Sequence, residues 1–292
     1  MDFLKLLARL AETNTQTLTV TGPRRTALRR LAQAGTAVLP AVLTALPQPA
    51  AARDSRTAQD VLKLALVLEQ LENEFYTQAL KQPLSFFGTT ENQAAIQTIQ
   101  RHEQQHVAVF TRLLVNSGAT LDAAPRFDFT GSKNGTQAAL YPDVFTNFDT
   151  FLRVAQLLED TGVRAYKGQA EYVQFDNFLL ESAVRVHSVE ARHASHIRTM
   201  RRQRGATVKS WVSPSDAPIT TAGSVAAKAY AGEENYAQYL AGNNLVPFVD
   251  NLPINIATPP LSQAAILAKV AEAFDEPLDA LTATEVASLF IY

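Results

Sequence analysis

Between about residues 56 and 204, apolar positions recur at alternating spacings of three and four, the period of a helix that buries one face. Four long helices are predicted, over Thr57–Lys81, Glu91–Ser117, Asn147–Tyr172 and Asp176–Arg204. No run in this stretch alternates apolar and polar residues as a half-buried strand does. Pro83 and Gly88 mark a short loop between the first two helices, and only a few residues separate the last two. Connections that short join antiparallel neighbours. About 30 residues, Gly118–Thr146, lie between the two hairpins. A loop of that length inside a domain needs a reason, and a crossover along a bundle supplies one: it lets the third helix start at the same end as the second. The expectation is an all-α four-helix bundle over 53–204, with a long crossover between helices two and three.

The flanks differ. Residues 1–52 open with a short amphipathic pattern, Met1–Glu12, then carry Arg24-Arg25 and an apolar stretch, Leu31–Leu46, closed by Pro47-Gln48-Pro49-Ala50-Ala51-Ala52. A basic region, an apolar region and small residues at a cut after Ala52 match a secretory signal, and the paired arginines match the twin-arginine variety. Export to the periplasm follows from that reading; the alternative is a retained N-terminal arm on a cytoplasmic protein. Pro40, Pro47 and Pro49 and the shortness of the run argue against stable membrane insertion. Residues 205–292 are rich in proline, with helical patterns at Ser224–Ala241, Ser262–Phe274 and Thr284–Ile291 and an N-cap candidate at Ser262. This extension is expected to pack on the bundle or on a second copy in a homodimer.

The buried seams carry polar residues. Helix two reads Ile96, Ile99, Glu103, His106, Phe110, Leu113, and helix four reads Leu179, Ala183, Val186, Glu190, His193, Ile197, Met200. Helix one reads Leu62, Ala65, Glu69, Glu72, Tyr76, and helix three reads Leu152, Ala155, Glu159, Gly162, Tyr166. Every helix thus puts a glutamate on its seam at mid-length, and helices two and four add a histidine three residues later, within reach of the same ligand. Burying one unpaired carboxylate costs several kcal/mol. Four of them call for compensation, and two divalent cations balance four carboxylates. A glutamate from each of two helices plus Glu-x-x-His from each of the other two is the recipe of a carboxylate-bridged dimetal site. The alternative is a polar core network that holds the bundle in register.

Composition narrows the chemistry. The chain has 292 residues and no cysteine, which excludes disulfides, zinc–thiolate sites and iron–sulfur clusters. Any metal must be held by oxygen and nitrogen. The net charge is −2, and without residues 1–52 the body is more acidic still, which disfavours nucleic acid. There is no glycine-rich phosphate loop and no Gly-x-Ser-x-Gly elbow.

The segments LEQLENEFY (68–76), RHEQQH (101–106), LEDTGVRAY (158–166) and SVEARHASHIR (188–198), in that order, resemble the ferritin-like superfamily, and most of all its bacterial branch related to plant desiccation-associated proteins. The resemblance covers about half the chain. It implies a ferritin-like bundle with Glu69, Glu103, His106, Glu159, Glu190 and His193 as metal ligands, Glu103 and Glu190 bridging two iron ions, or manganese in their place. Relatives with intact sites oxidise ferrous iron or react with dioxygen or peroxide, which makes a ferroxidase, peroxidase or catalase-like oxidoreductase one expectation. A non-catalytic stress protein stabilised by its metals is another, and storage of iron in a shell a third that the long C-terminal extension disfavours. Glu72, on the seam beside Glu69, departs from the six-ligand set as an extra ligand or an acceptor. Tyr76 and Tyr166 are either core tyrosines or partners of the ligand carboxylates, and His187 and His196 flank the ligands. His102, about 100° off the seam, is expected at the surface. The cluster Arg198, Arg201, Arg202, Arg204 is expected to be a solvated helix end.

Overall fold

The computed structural model describes residues 57–236 and 261–292. The N-terminal signal or arm, the end of the Ser224–Ala241 pattern and the prolines between 247 and 260 lie outside these residues. Four long helices form: α1 (Ala58–Ala79), α2 (Thr90–Asn116), α3 (Phe148–Val173) and α4 (Asn177–Gln203). Their starts are fixed by side chains that satisfy orphan backbone donors. Thr57 and Asp60 make a reciprocal capping box, Thr89 accepts from the Asn92 amide, and Asn147 and Asp176 cap α3 and α4. Gly118 ends α2 with φ of 76°, a backbone conformation that a side chain resists.

α1 pairs with α2 and α3 with α4, as the short connections require. Two apolar clusters fix the direction of each helix. One gathers Phe75, Ile96, Ile99, Phe151, Leu152, Ile197 and others; the second gathers Leu62, Leu66, Phe110, Leu114, Tyr166 and Val186. α2 and α3 both run from the first cluster to the second, so they are parallel, and α1 and α4 run the other way. The crossover expected from the long connection is present. It is not structureless: Asp128 accepts from Thr130, Ser132 and the Asn134 amide, and Phe129 and Val144 are buried in the first cluster. There Phe75 stacks on Phe151 at 4.8 Å and meets Phe129 edge-on at 5.0 Å. Phe86 and Phe87, from the single helical turn Leu84–Phe87, close the same end against Phe148.

The C-terminal residues pack on the chain's own bundle. Helices α5 (Gln263–Ala271) and α6 (Ala280–Ser288) follow a 3-10 stretch, Ala226–Tyr230. Ser262 caps α5 as expected. The last helix begins at Ala280 instead of Thr284, because Asp279 supplies the cap. The Ser224–Ala241 pattern gives only the 3-10 stretch within the described residues; Gly232, with φ of 89°, turns the chain away. Ala229, Ala283, Val286 and Phe290 complete the first apolar cluster.

Arg198 and Arg164 lock this segment down, and the burial of Arg198 and Arg201 corrects the expectation of a solvated helix end. Arg198 is 1% exposed. It binds Asp160 through two nitrogens, at 2.9 and 2.5 Å, and Asp216 at 2.7 Å. Arg201 is also buried and donates to Gln156; Arg204 pairs with Asp149. Arg202 and Arg204 are exposed. On α3, Arg164 pairs with Glu233 at 2.8 Å and donates to the carbonyls of Ala229, Ala231 and Glu276. One turn on, Gly168 lies so close to the Leu278 carbonyl that a Cβ would collide with it. Gly168→Ala is expected to cost about 1–3 kcal/mol, the range for overpacking. Thermal unfolding followed by circular dichroism and by fluorescence of Trp211, the chain's one tryptophan, checks this; an unchanged midpoint refutes it.

Candidate metal centre

A polar layer separates the two apolar clusters. It contains Glu69, Glu72, Glu103, Glu159 and Glu190, each at most 2% exposed, with His106 and His193 at 4%. All six residues expected as ligands meet here, and Glu72 joins them. Each comes from the middle of its helix, where the three-four spacing turns it inward.

The donor atoms fall into two groups. In the first, His106 Nδ1 lies 3.1 Å from Glu69 Oε2, 3.0 Å from Glu103 Oε2 and 2.9 Å from Glu190 Oε1. In the second, His193 Nδ1 lies 2.7 Å from Glu103 Oε1, 3.5 Å from Glu159 Oε2 and 3.7 Å from Glu190 Oε2. Glu103 and Glu190 thus give one oxygen to each group. Glu69 belongs to the first alone and Glu159 to the second alone.

An imidazole nitrogen carries at most one hydrogen, so His106 Nδ1 cannot donate to three carboxylates at once. Glu72 Oε2, Glu103 Oε1, Glu159 Oε2, both oxygens of Glu190 and His193 Nδ1 are buried with no hydrogen-bond partner. Among the described residues no lysine or arginine pairs with any of the five glutamates. Orphaned, mutually facing donors of this kind suit a cation between them. With bonds of about 2.1 Å, adjacent ligand atoms of an octahedral ion stand about 3 Å apart, and the His106 group has that spacing. The residues fit a pair of metal ions.

The outer oxygens of the two unshared carboxylates are taken by tyrosines. Tyr76 of α1 donates to Glu159 Oε1 of α3 at 2.5 Å, and Tyr166 of α3 donates to Glu69 Oε1 of α1. Each bond leaves the other oxygen of its glutamate facing the centre. Of the two readings open for these tyrosines, partnership with the carboxylates is the one realised. Gly162 makes room: a Cβ there would sit 3.2 Å from Glu72 Oε1 and 3.9 Å from Glu190 Oε2.

His102 corrects the sequence reading. It is half-buried, and its Nδ1 lies 2.9 Å from His193 Nε2. The angle along α2 is as expected, but α4 fills the space beside it. With His193, His196 and Arg192 it lines an open cleft. His196 is exposed there, and neither it nor His187 enters either donor group. His187 has a buried Nδ1 without a hydrogen-bond partner.

Four long helices, a crossover and two overlapping Glu/His groups at mid-bundle define a helical-bundle protein with a buried carboxylate–histidine centre that can bind metal. The family model described as a ferritin-like domain matches residues 57–203, and the chain belongs to that family. No curated protein matches the chain.

The protonation of the cluster follows from its burial. Burial, then the charge of Glu190, holds the Glu69 carboxyl well above the usual range despite His106. Burial and four neighbouring carboxylates do the same to Glu72. Burial pushes Glu159 up to about 8 against the pull of His193. Burial opposes the charge on Glu190 too, but His106 and His193 outweigh it and keep this group below the usual range. Burial also opposes charge on the two imidazoles, and the surrounding carboxylates outweigh it, so both are raised. The metal-free fold therefore holds protons that the unfolded chain releases once pH exceeds about 4.5, the ordinary glutamate value. Stability then falls as pH rises toward about 8; the contribution of the depressed Glu190 is constant across this window and is lost only as pH falls below about 4.5. Thermal melts of chelator-treated protein from pH 5 to 8 are expected to show a falling midpoint, flattened in Glu159→Gln. A midpoint that rises across this window contradicts the assignment.

Proposed function

We propose that this chain is a dimetal-carboxylate protein holding two iron ions, with manganese as the alternative, and acting in oxidative or stress protection on ferrous iron, dioxygen or peroxide. The observation that carries the reading is the sharing of Glu103 and Glu190, oxygen by oxygen, between two otherwise separate donor groups. Glu69 and His106 would complete one ion's ligands, and Glu159 and His193 the other's. An oxygen-rich set with one imidazole per ion suits iron and manganese. When bound, such a pair supplies two one-electron changes at adjacent ions. The chain's part is to orient and to exclude: the tyrosines aim Glu69 and Glu159 inward, and the apolar clusters above and below keep water from the layer. Glu72 stands ready as a further ligand or as an acceptor. The four motifs support the desiccation-related branch, and with it a stress role.

A second reading is structural, with ions that mainly stabilise the bundle. It is favoured by the complete burial of the cluster and by its drawing on all four helices. Elemental analysis of protein purified without added metal is expected to find about two iron or manganese ions per chain. Zero metal, even after anaerobic loading, defeats the dimetal reading. Turnover of ferrous iron or peroxide by the loaded protein separates the enzymatic reading from the structural one. Glu103→Ala and Glu190→Ala are expected to lose both ions, whereas Glu69→Ala and Glu159→Ala lose mainly one. Full metal content in Glu103→Ala refutes the ligand assignment.

A further inference from the structure

His102 makes the two halves of the centre unequal. Its ring plane lies within 11° of the His193 ring, with centroids 5.2 Å apart, and its Nδ1 meets His193 Nε2 at 2.9 Å. The two imidazoles are therefore joined edge to edge through those nitrogens. His193 turns its other nitrogen, Nδ1, toward Glu103, Glu159 and Glu190. A neutral imidazole that offers Nδ1 as a ligand must carry its hydrogen on Nε2. That hydrogen points at His102 Nδ1, which accepts it. Ligand histidines are oriented by such bonds, and removing the acceptor lowers metal affinity about 10–100-fold.

Among the described residues the other half has no counterpart. His102 stands one residue before Glu103 on α2; the matching place, one residue before Glu190 on α4, is Val189, which offers no acceptor. The open cleft reaches the His193 side as well. Its walls include His102, His193, His196 and Arg192, and His106 is not among them.

We infer that His102 is a positioning residue for one metal position alone: it holds the His193 imidazole through the Nδ1···Nε2 bond, and the ion bound with His193 depends on it while the ion bound with His106 does not. This rests on the dimetal reading above. The test is anaerobic titration of the metal-free full chain with manganese(II), following free ion by electron paramagnetic resonance. His102→Leu removes the acceptor. His102→Asn can place a carbonyl oxygen near the lost nitrogen. In His102→Leu, one of two ions is expected to weaken about 10–100-fold and the other to keep wild-type affinity, and His102→Asn is expected to recover most of the loss. Wild-type affinity for both ions in His102→Leu overturns the inference, as does equal weakening of both ions in Leu and Asn alike. A wild-type chain that binds neither manganese(II) nor, in a parallel anaerobic titration, iron(II) overturns the dimetal reading and this inference together; two ions bound by wild type with no selective effect of His102→Leu overturn this inference alone.

Discussion

Repulsion among five carboxylates in a dry layer governs the middle of this bundle. In water, two such charges at 4 Å repel by about 1 kcal/mol, and at an effective dielectric of 20 by about four times that. Glu69, Glu72, Glu103, Glu159 and Glu190 are buried away from bulk solvent, and the two imidazoles can contribute at most two positive charges. Protons can settle the balance, which is why burial holds Glu69, Glu72 and Glu159 above the ordinary range. Cations settle it better, because a proton satisfies one oxygen and an ion several at once. A constellation that needs more positive charge than its two imidazoles supply, where among the described residues no lysine or arginine arrives, is what separates a candidate metal centre from an ordinary buried ion-pair network.

The same protein shows such an ordinary network a short distance along the chain. Asp160 follows Glu159 directly, yet faces Arg198 through two hydrogen bonds and also accepts from Tyr230 at 2.8 Å. One residue along α3 turns a carboxylate from the buried glutamate layer to the seam beneath the C-terminal segment. Arg164 repeats the arrangement nearer the end of the helix, with Glu233 and three carbonyls. Buried charges of this second kind have full partners and hold the stretches around Asp216, Ala229–Glu233 and Glu276 against the bundle. Those of the first kind do not.

The sequence made the bundle and the six converging residues legible because both depend on angle along a single helix. Apolar spacing shows which face is buried, and a glutamate on that face is buried whatever its neighbours are. The failures share the opposite property. His102 lies off the seam of α2, and whether that direction meets water or α4 depends on helix packing that no single-helix pattern contains. Arg198 reads as a basic helix end until Asp160 and Asp216, 38 positions before it and 18 after, are placed beside it. The Ser224–Ala241 pattern looks helical from its alanines, but within the described residues Gly232 and the docking of Ala229 and Tyr230 leave only the 3-10 stretch Ala226–Tyr230. Local periodicity carried the site; tertiary neighbours carried its surroundings.

The two hairpins are near-repeats, with Glu69 and Glu159 offset by 90 residues and Glu103 and Glu190 by 87. The crossed tyrosine bonds obey that symmetry: each hairpin's first helix supplies the hydroxyl for the other's unshared glutamate. Two positions break it. Three residues after Glu69 stands Glu72, and three residues after Glu159 stands Gly162, whose missing Cβ leaves the space beside Glu72 Oε1. The fifth carboxylate of one hairpin therefore fits because the other hairpin has given up its side chain there. His102 against Val189 is the second break, on the neighbouring pair of helices. A site kept only as a symmetric charge knot would gain nothing from either change. Each alters what surrounds particular donor atoms while leaving the six positions of the two donor groups intact, so the two groups differ in their surroundings and not in their donor types.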